Sequence, residues 1–151
     1  MYNRTILDAD VRNGLISRIE RLSDNSSARW GKMNVYEMIR HCSLWDEMVL
    51  HNRKYPRVWI GRLLGPLILK NALKDQPMAK NAPTIPPLIV HCDTDKIELQ
   101  KEHWIALLEQ YKTFLEPIPP FVHPFFGAMT KEQIGIQAYK HADHHLRQFG
   151  C

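Results

Sequence analysis

The stretch TKEQIGIQAYKHADHHLRQF, residues 130–149, places Ile134, Ala138, His141, Ala142, His145 and Phe149 at steps of three and four. At 100° per residue these six side chains fall within one arc of about 100°, the width of a helix stripe that faces a core. Thr130 and Gln133 have capping-box spacing at the start of the stretch, and Gly150 stands where a helix can stop. His141 and His145 therefore share the buried face one turn apart, a spacing that offers two ring nitrogens to one ion. His144 lies at the rim of the arc beside Gln137, so it supports a neighbour or meets solvent.

Working outward, Val11, Leu15, Ile19 and Leu22 predict a helix over about residues 8–23. Asn34, with Glu37 in capping-box position, opens a second helix that continues to about Asn52. Its inner stripe is Val35, Met38, Cys42, Trp45 and Val49, and His41 sits at one edge of it with Met38, Trp45 and Met48. A further amphipathic stretch from about Thr94 to Glu116 turns Ile97, Trp104, Leu108, Tyr111 and Leu115 to one side, and Pro117, Pro119 and Pro120 close it.

About forty residues separate the second and third of these helices, too many for a tight turn. They hold the apolar run Val58 to Leu69, interrupted by Arg62 and Pro66, and then a proline-rich segment, Pro77 to Pro87. The pattern predicts an all-α four-helix bundle with one long crossover between helices 2 and 3, spanning residues 1–151 as a single domain. Leu88-Ile89-Val90 can form a short extended piece but has no partner strand, which leaves an α+β domain as the weaker alternative. The Val58 to Leu69 run is shorter than the roughly 20 residues of a membrane span and reads as core, with a membrane-surface helix or a dimer contact as its functional alternative.

The chain has 151 residues, 44% of them hydrophobic, which is enough to build one core. Its net charge of +4 comes from 20 basic and 16 acidic residues scattered without a basic arm, so no nucleic-acid partner is expected. Three cysteines, Cys42, Cys92 and Cys151, without a CxxC spacing, suggest neither a disulfide framework nor a thiolate zinc site. The beginning of the chain lacks the apolar core of a signal peptide, and a cytoplasmic protein with no membrane partner is expected.

His41, His141 and His145 are the candidate metal ligands. Neutral imidazole is a common ligand for divalent transition metals, and three protein ligands leave positions open for water or substrate. No separate catalytic residue is assigned. Asp46 and Asp143 lie off the inner stripes, where each orients a histidine or faces water. His123, in the loop Phe121 to Gly127, reads either as part of a lid or as a locally bonded member of an aromatic plug. His51, His91 and His103 have no partner at useful spacing. Cys42 reads as packing, Cys92 projects away from neighbouring His91, and Cys151 is expected to be loose at the chain end.

The order of these signals, a histidine early in the second helix, a long crossover and a terminal His141-x3-His145 followed by Arg147 and Gln148, resembles the DinB/YfiT-like superfamily of metal-binding four-helix bundles. Trp30-Gly31-Lys32-Met33 before Met38 to Cys42, and His123-Pro124-Phe125-Phe126-Gly127 before Lys140 to Gly150, are similar to an uncharacterised branch, a domain of unknown function, over nearly the whole chain. The resemblance implies that His41, His141 and His145 correspond to the superfamily's ligands for nickel, zinc, iron or manganese. Some members of the superfamily transfer low-molecular-weight thiols, and homodimers are frequent among them; for this chain, a metal with open positions makes a hydrolase or a low-molecular-weight thiol transferase acting on an unidentified small molecule the expected activity. The alternative is a non-catalytic bundle with a structural histidine cluster that dimerises through Val58 to Leu69.

Overall fold

The computed structural model describes residues 4–91 and 96–151. The chain is mostly helical. α1 runs Ala9–Glu20, α2 Val35–Leu50, α3 Trp59–Ala72, α4 Ile97–Gln110 and α5 Lys131–Gln148. Two short strands, β1 (Val122–His123) and β2 (Gly127–Ala128), pair antiparallel, with Val122 opposite Ala128 and His123 opposite Gly127.

Both predicted capping boxes are present. Asn34 Oδ1 accepts from the Glu37 backbone N–H at 2.9 Å while Glu37 accepts from the Asn34 N–H at 2.9 Å. Thr130 and Gln133 make the same reciprocal pair at 3.3 and 3.0 Å. Each box satisfies two N–H groups that the helix start would otherwise leave unpaired, fixing where the two histidine-bearing helices begin.

α2 packs on α4 and α5, and α1 packs on the same two helices, so the apolar stripes of four helices meet in one core. Ile19, Met38, Ile39, Trp104, Leu108, Ile134 and Leu146 lie fully inside it. Two buried polar side chains tie its elements together. Lys101, buried on α4, donates to the carbonyls of Glu20 and Leu22 at 2.9 Å each, closing the C-terminal end of α1. Asp46 accepts from Trp104 Nε1 at 2.9 Å and from the Tyr111 hydroxyl at 2.8 Å, which ties α2 to α4 from within.

The fold differs from the sequence expectation in five places. It is not purely α, because the turn before α5 closes the short β1–β2 pair. The crossover contains a fifth helix, α3, with Pro66 inside it. Its apolar residues are largely exposed rather than core; Gly61, Gly65 and Leu69 are the buried ones. Of the expected extended piece Leu88-Ile89-Val90, Leu88 instead ends a single 3₁₀ turn, Pro86–Leu88, while Ile89 is extended. The third predicted helix stops at Gln110 and tightens into a 3₁₀ turn over Tyr111–Thr113, after which Leu115 points outward instead of continuing the inner stripe. The expected beginning of that helix at Thr94, like Cys92, lies outside the described residues.

α3 is held against the β1–β2 loop by close backbone approach. The Val58 N–H donates to the Pro124 carbonyl at 3.0 Å, and Arg57 bridges the Pro124 and Gly61 carbonyls at 3.2 and 2.8 Å. A β-carbon at Gly61 would stand 2.3 Å from the Phe125 carbonyl oxygen, and one at Gly65 2.6 Å from the same atom. Only glycine lets the helix axis come this near.

Candidate metal centre

α2 and α5 bring three rings together in the core. His41 comes from the middle of α2, and His141 and His145 come from successive turns of α5. Their ring centroids form a nearly equilateral triangle: 5.0 Å from His41 to His141, 4.9 Å from His41 to His145, and 4.8 Å from His141 to His145. One nitrogen from each ring lies within 4.8 Å of the others. All three residues are buried.

The hydrogen bonds around the triangle decide which nitrogens face its centre. His41 Nδ1 lies 2.8 Å from the Leu88 carbonyl, which can only accept, so Nδ1 carries the proton and Nε2 keeps its lone pair. At His145, Nδ1 lies 2.8 Å from Gln148 Oε1. The orientation of that amide is set in turn by its Nε2, which donates to the Trp30 carbonyl at 2.7 Å. His145 is thereby the Nδ1–H tautomer as well, with Nε2 free. His41 Nε2 and His141 Nε2 approach to 3.1 Å, close to the roughly 3.3 Å between two nitrogens of a tetrahedral zinc-type site. Trp45 stacks on His141 with centroids 5.0 Å apart and fixes the plane of that ring.

Electrostatics favour the metal-binding form. Burial lowers the pKa of His41, partly opposed by its bond to Leu88. Burial drives His141 well below the usual imidazole range, helped by the neighbouring histidines, and it brings His145 down to about 3. The rings are thus neutral around pH 7, the state that ligates. Three neutral imidazoles, with the Nδ1–H groups of His41 and His145 oriented by oxygen acceptors, fit a divalent transition ion, and three such donors leave coordination positions for other ligands.

The loop before α2 has a definite part in this geometry. Gly31 adopts φ +81°, and a β-carbon there would lie 2.6 Å from Gln148 Nε2. The Trp30-Gly31 turn thus closes over the amide that orients His145. The Arg29 N–H also donates to the Gln148 carbonyl at 2.7 Å, pinning the same turn to the end of α5.

The family described as "Protein of unknown function (DUF1569)" matches residues 1–150. The chain belongs to the DUF1569 family. No curated protein and no solved structure matches it.

The other candidates of the DUF1569 chain fall outside the triangle. Asp46 neither orients a histidine nor faces water: it is buried between Trp104 and Tyr111, and burial pushes its carboxyl up to about 7 against the pull of those two donors. Asp143 pairs with Arg18 at 2.7 Å, on the side of α5 away from the ligand nitrogens. His123 Nδ1 accepts from the backbone N–H groups of Phe125 and Phe126 at 3.1 and 3.2 Å, and its ring stacks on Phe126 at 4.5 Å, which matches the aromatic plug. Burial holds His123 down at about 4.

His144 is half-buried, edge-on to Trp30 and His145. His51 and His91 are exposed, and His103 bonds Glu47 at 2.8 Å. Cys42 is packed inside, where burial raises its thiol well above the usual range. Cys151 is tied down rather than loose: its N–H donates to the Leu146 carbonyl at 2.9 Å and its carbonyl accepts from Arg18 at 3.1 Å. Gln148 and the Trp30-Gly31 turn are the parts of the centre that pattern reasoning did not assign. The positive-φ requirement of a glycine beside an aromatic residue was the available signal.

Proposed function

We propose that this protein is a divalent-metal-dependent enzyme of the DinB/YfiT-like type, with His41, His141 and His145 as the ligand set and a hydrolytic or thiol-transferring activity on a small molecule. The packing of α1, α2, α4 and α5 supports reading the fold as the DinB-like bundle. The observation that carries the metal assignment is the convergence of three neutral imidazoles from two helices, with the Nδ1–H groups of His41 and His145 already given to oxygen acceptors. A bound divalent ion would supply Lewis acidity, polarising a carbonyl or easing deprotonation of water or a thiol near neutral pH. The chain's own contribution is to hold three donors in a buried, oriented cage and leave the remaining positions to exchangeable ligands. Nickel and zinc suit an all-imidazole set, and iron or manganese is compatible with it.

Elemental analysis of protein purified without a nickel column tests the assignment. Stoichiometric metal in the wild type that falls to background in His41→Ala and His141→Ala supports it. Equal metal content in all three proteins removes it. Turnover of ester, amide or thiol-plus-electrophile substrates that chelation abolishes then separates an enzyme from a structural metal pin.

A further inference from the structure

The outer face of α3 is apolar and has no cover among the described residues. Trp59, Leu63 and Leu67, one turn apart, are 72%, 71% and 67% exposed. This is a continuous stripe along a helix whose opposite side, through Gly61 and Gly65, is fixed to the β1–β2 loop. An exposed apolar stripe of this kind marks an interaction surface.

The charge around the stripe says what kind of surface it meets. Residues 48–74 contain six cationic side chains, Arg53, Lys54, Arg57, Arg62, Lys70 and Lys74, and not one carboxylate. Arg53 is spent on an ion pair with Glu47 and Arg57 on backbone carbonyls. Arg62, Lys70 and Lys74 instead line an open hollow of about 780 Å³ beside the helix, floored by Pro66, Leu69 and Phe126, with Asp75 the one acidic group at its rim. At 100° per residue, Lys70 lies within the apolar arc and Arg62 about 60° to one side of Trp59. The helix thus presents an apolar ridge with a cationic shoulder.

Self-association fits this pattern poorly. A twofold contact through the stripe would set Arg62 and Lys70 of one copy near those of the other, with no acidic residue on α3 to pair with either. An anionic lipid surface satisfies both parts at once, because the ridge enters the acyl boundary while the cations meet headgroup phosphates and carboxylates.

We propose that α3 docks the protein peripherally on an anionic phospholipid bilayer, with Trp59, Leu63 and Leu67 inserted and Arg62, Lys70 and Lys74 against the headgroups. A helix lying in the interface needs no spanning length, and no helix among the described residues is long and apolar enough to cross a membrane. The proposal is independent of the metal assignment.

Co-sedimentation of the full chain with vesicles of phosphatidylcholine and phosphatidylserine, roughly three to one, against phosphatidylcholine alone tests it. Binding is expected to the anionic vesicles and to collapse in high salt. Neutralising two cations in Arg62→Gln/Lys70→Gln lowers partitioning about thirtyfold. Leu63→Gln/Leu67→Gln, at exposed positions where folding is not at stake, lowers it at least about tenfold. Far-UV circular dichroism and urea midpoints confirm that both variants are folded. The proposal is overturned if the wild type fails to sediment with anionic vesicles, if neutral vesicles bind equally, or if neither double variant changes the partition. It is overturned equally if sedimentation equilibrium without lipid shows a dimer that Leu63→Gln/Leu67→Gln converts to monomer.

Discussion

Replacing glycine by alanine at two helical positions should move the stability of this protein in opposite directions. In a helix interior the change is favourable by about 0.8–1.0 kcal/mol, because alanine loses less backbone freedom on folding. Gly14, inside α1, has nothing within 4 Å of where a β-carbon would go, so Gly14→Ala should realise most of that gain. At Gly61 the new carbon would sit 2.3 Å from the Phe125 carbonyl oxygen and 2.9 Å from Phe125 Cα, where ordinary contact begins at 3.4 Å. The helix or the loop must therefore retreat by about 1 Å, comparable to the shifts forced by overpacking.

Neither partner yields easily. Pro124 is bonded by Val58 and Arg57, and Phe125 and Phe126 are bonded to His123 Nδ1. Overpacking costs about 1–3 kcal/mol, so after the propensity gain Gly61→Ala should be less stable than wild type by up to about 2 kcal/mol. The two variants should then stand about 1–3 kcal/mol apart. Urea denaturation followed by far-UV circular dichroism reads both as midpoint shifts of opposite sign, provided the slopes match. A Gly61→Ala midpoint at or above that of wild type would refute the close-approach account of α3.

Three further outcomes are expected. Gln148→Leu, which removes the acceptor of His145 Nδ1–H, should weaken metal affinity about 10- to 100-fold in competition with a chromogenic chelator, and undiminished affinity would deny Gln148 its orienting part. His123 is held at about 4 when folded against 6.5 for the free ring, so the unfolded chain takes up a proton that the folded chain refuses. Its contribution is complete above about pH 6.5 and is lost as pH falls toward 4, by at most about 3 kcal/mol; urea titrations across that range should show a smaller loss in His123→Asn, whose amide oxygen can still accept from Phe125 and Phe126. Asp46→Leu strands the Trp104 N–H and the Tyr111 O–H in the core and should cost about 2–5 kcal/mol, whereas Asp46→Asn retains one acceptor and should cost about half as much; equal midpoints for the two variants would contradict the shared-acceptor reading.

What could be read from the sequence was what repeats locally. The 3.6-residue period and the Asn34–Glu37 and Thr130–Gln133 boxes lie within single helices, so α2 and α5 could be placed to within a residue or two. The i,i+4 spacing likewise put His141 and His145 on one face. α3 is hidden in the sequence because Arg62 and Pro66 interrupt its apolar run, and its glycines serve a contact with Phe125 some sixty residues away that no local pattern encodes. Asp46 was misread for the same reason, since its donors Trp104 and Tyr111 are 58 and 65 residues distant. Leu115 was assigned to the stripe by extending a period past the point where the helix tightens at Tyr111.

The two supports of the histidine triangle differ in how a mutational scan would see them. Gln148 acts through its side chain and disappears with it. The acceptor of His41 is the main-chain oxygen of Leu88, present whatever residue occupies that position. Side-chain replacement at position 88 therefore reports on packing alone. The dependence of His41 on the crossover becomes visible only when the backbone itself is moved, by deleting a residue near Pro86 and Pro87 or by an ester bond in place of the peptide unit.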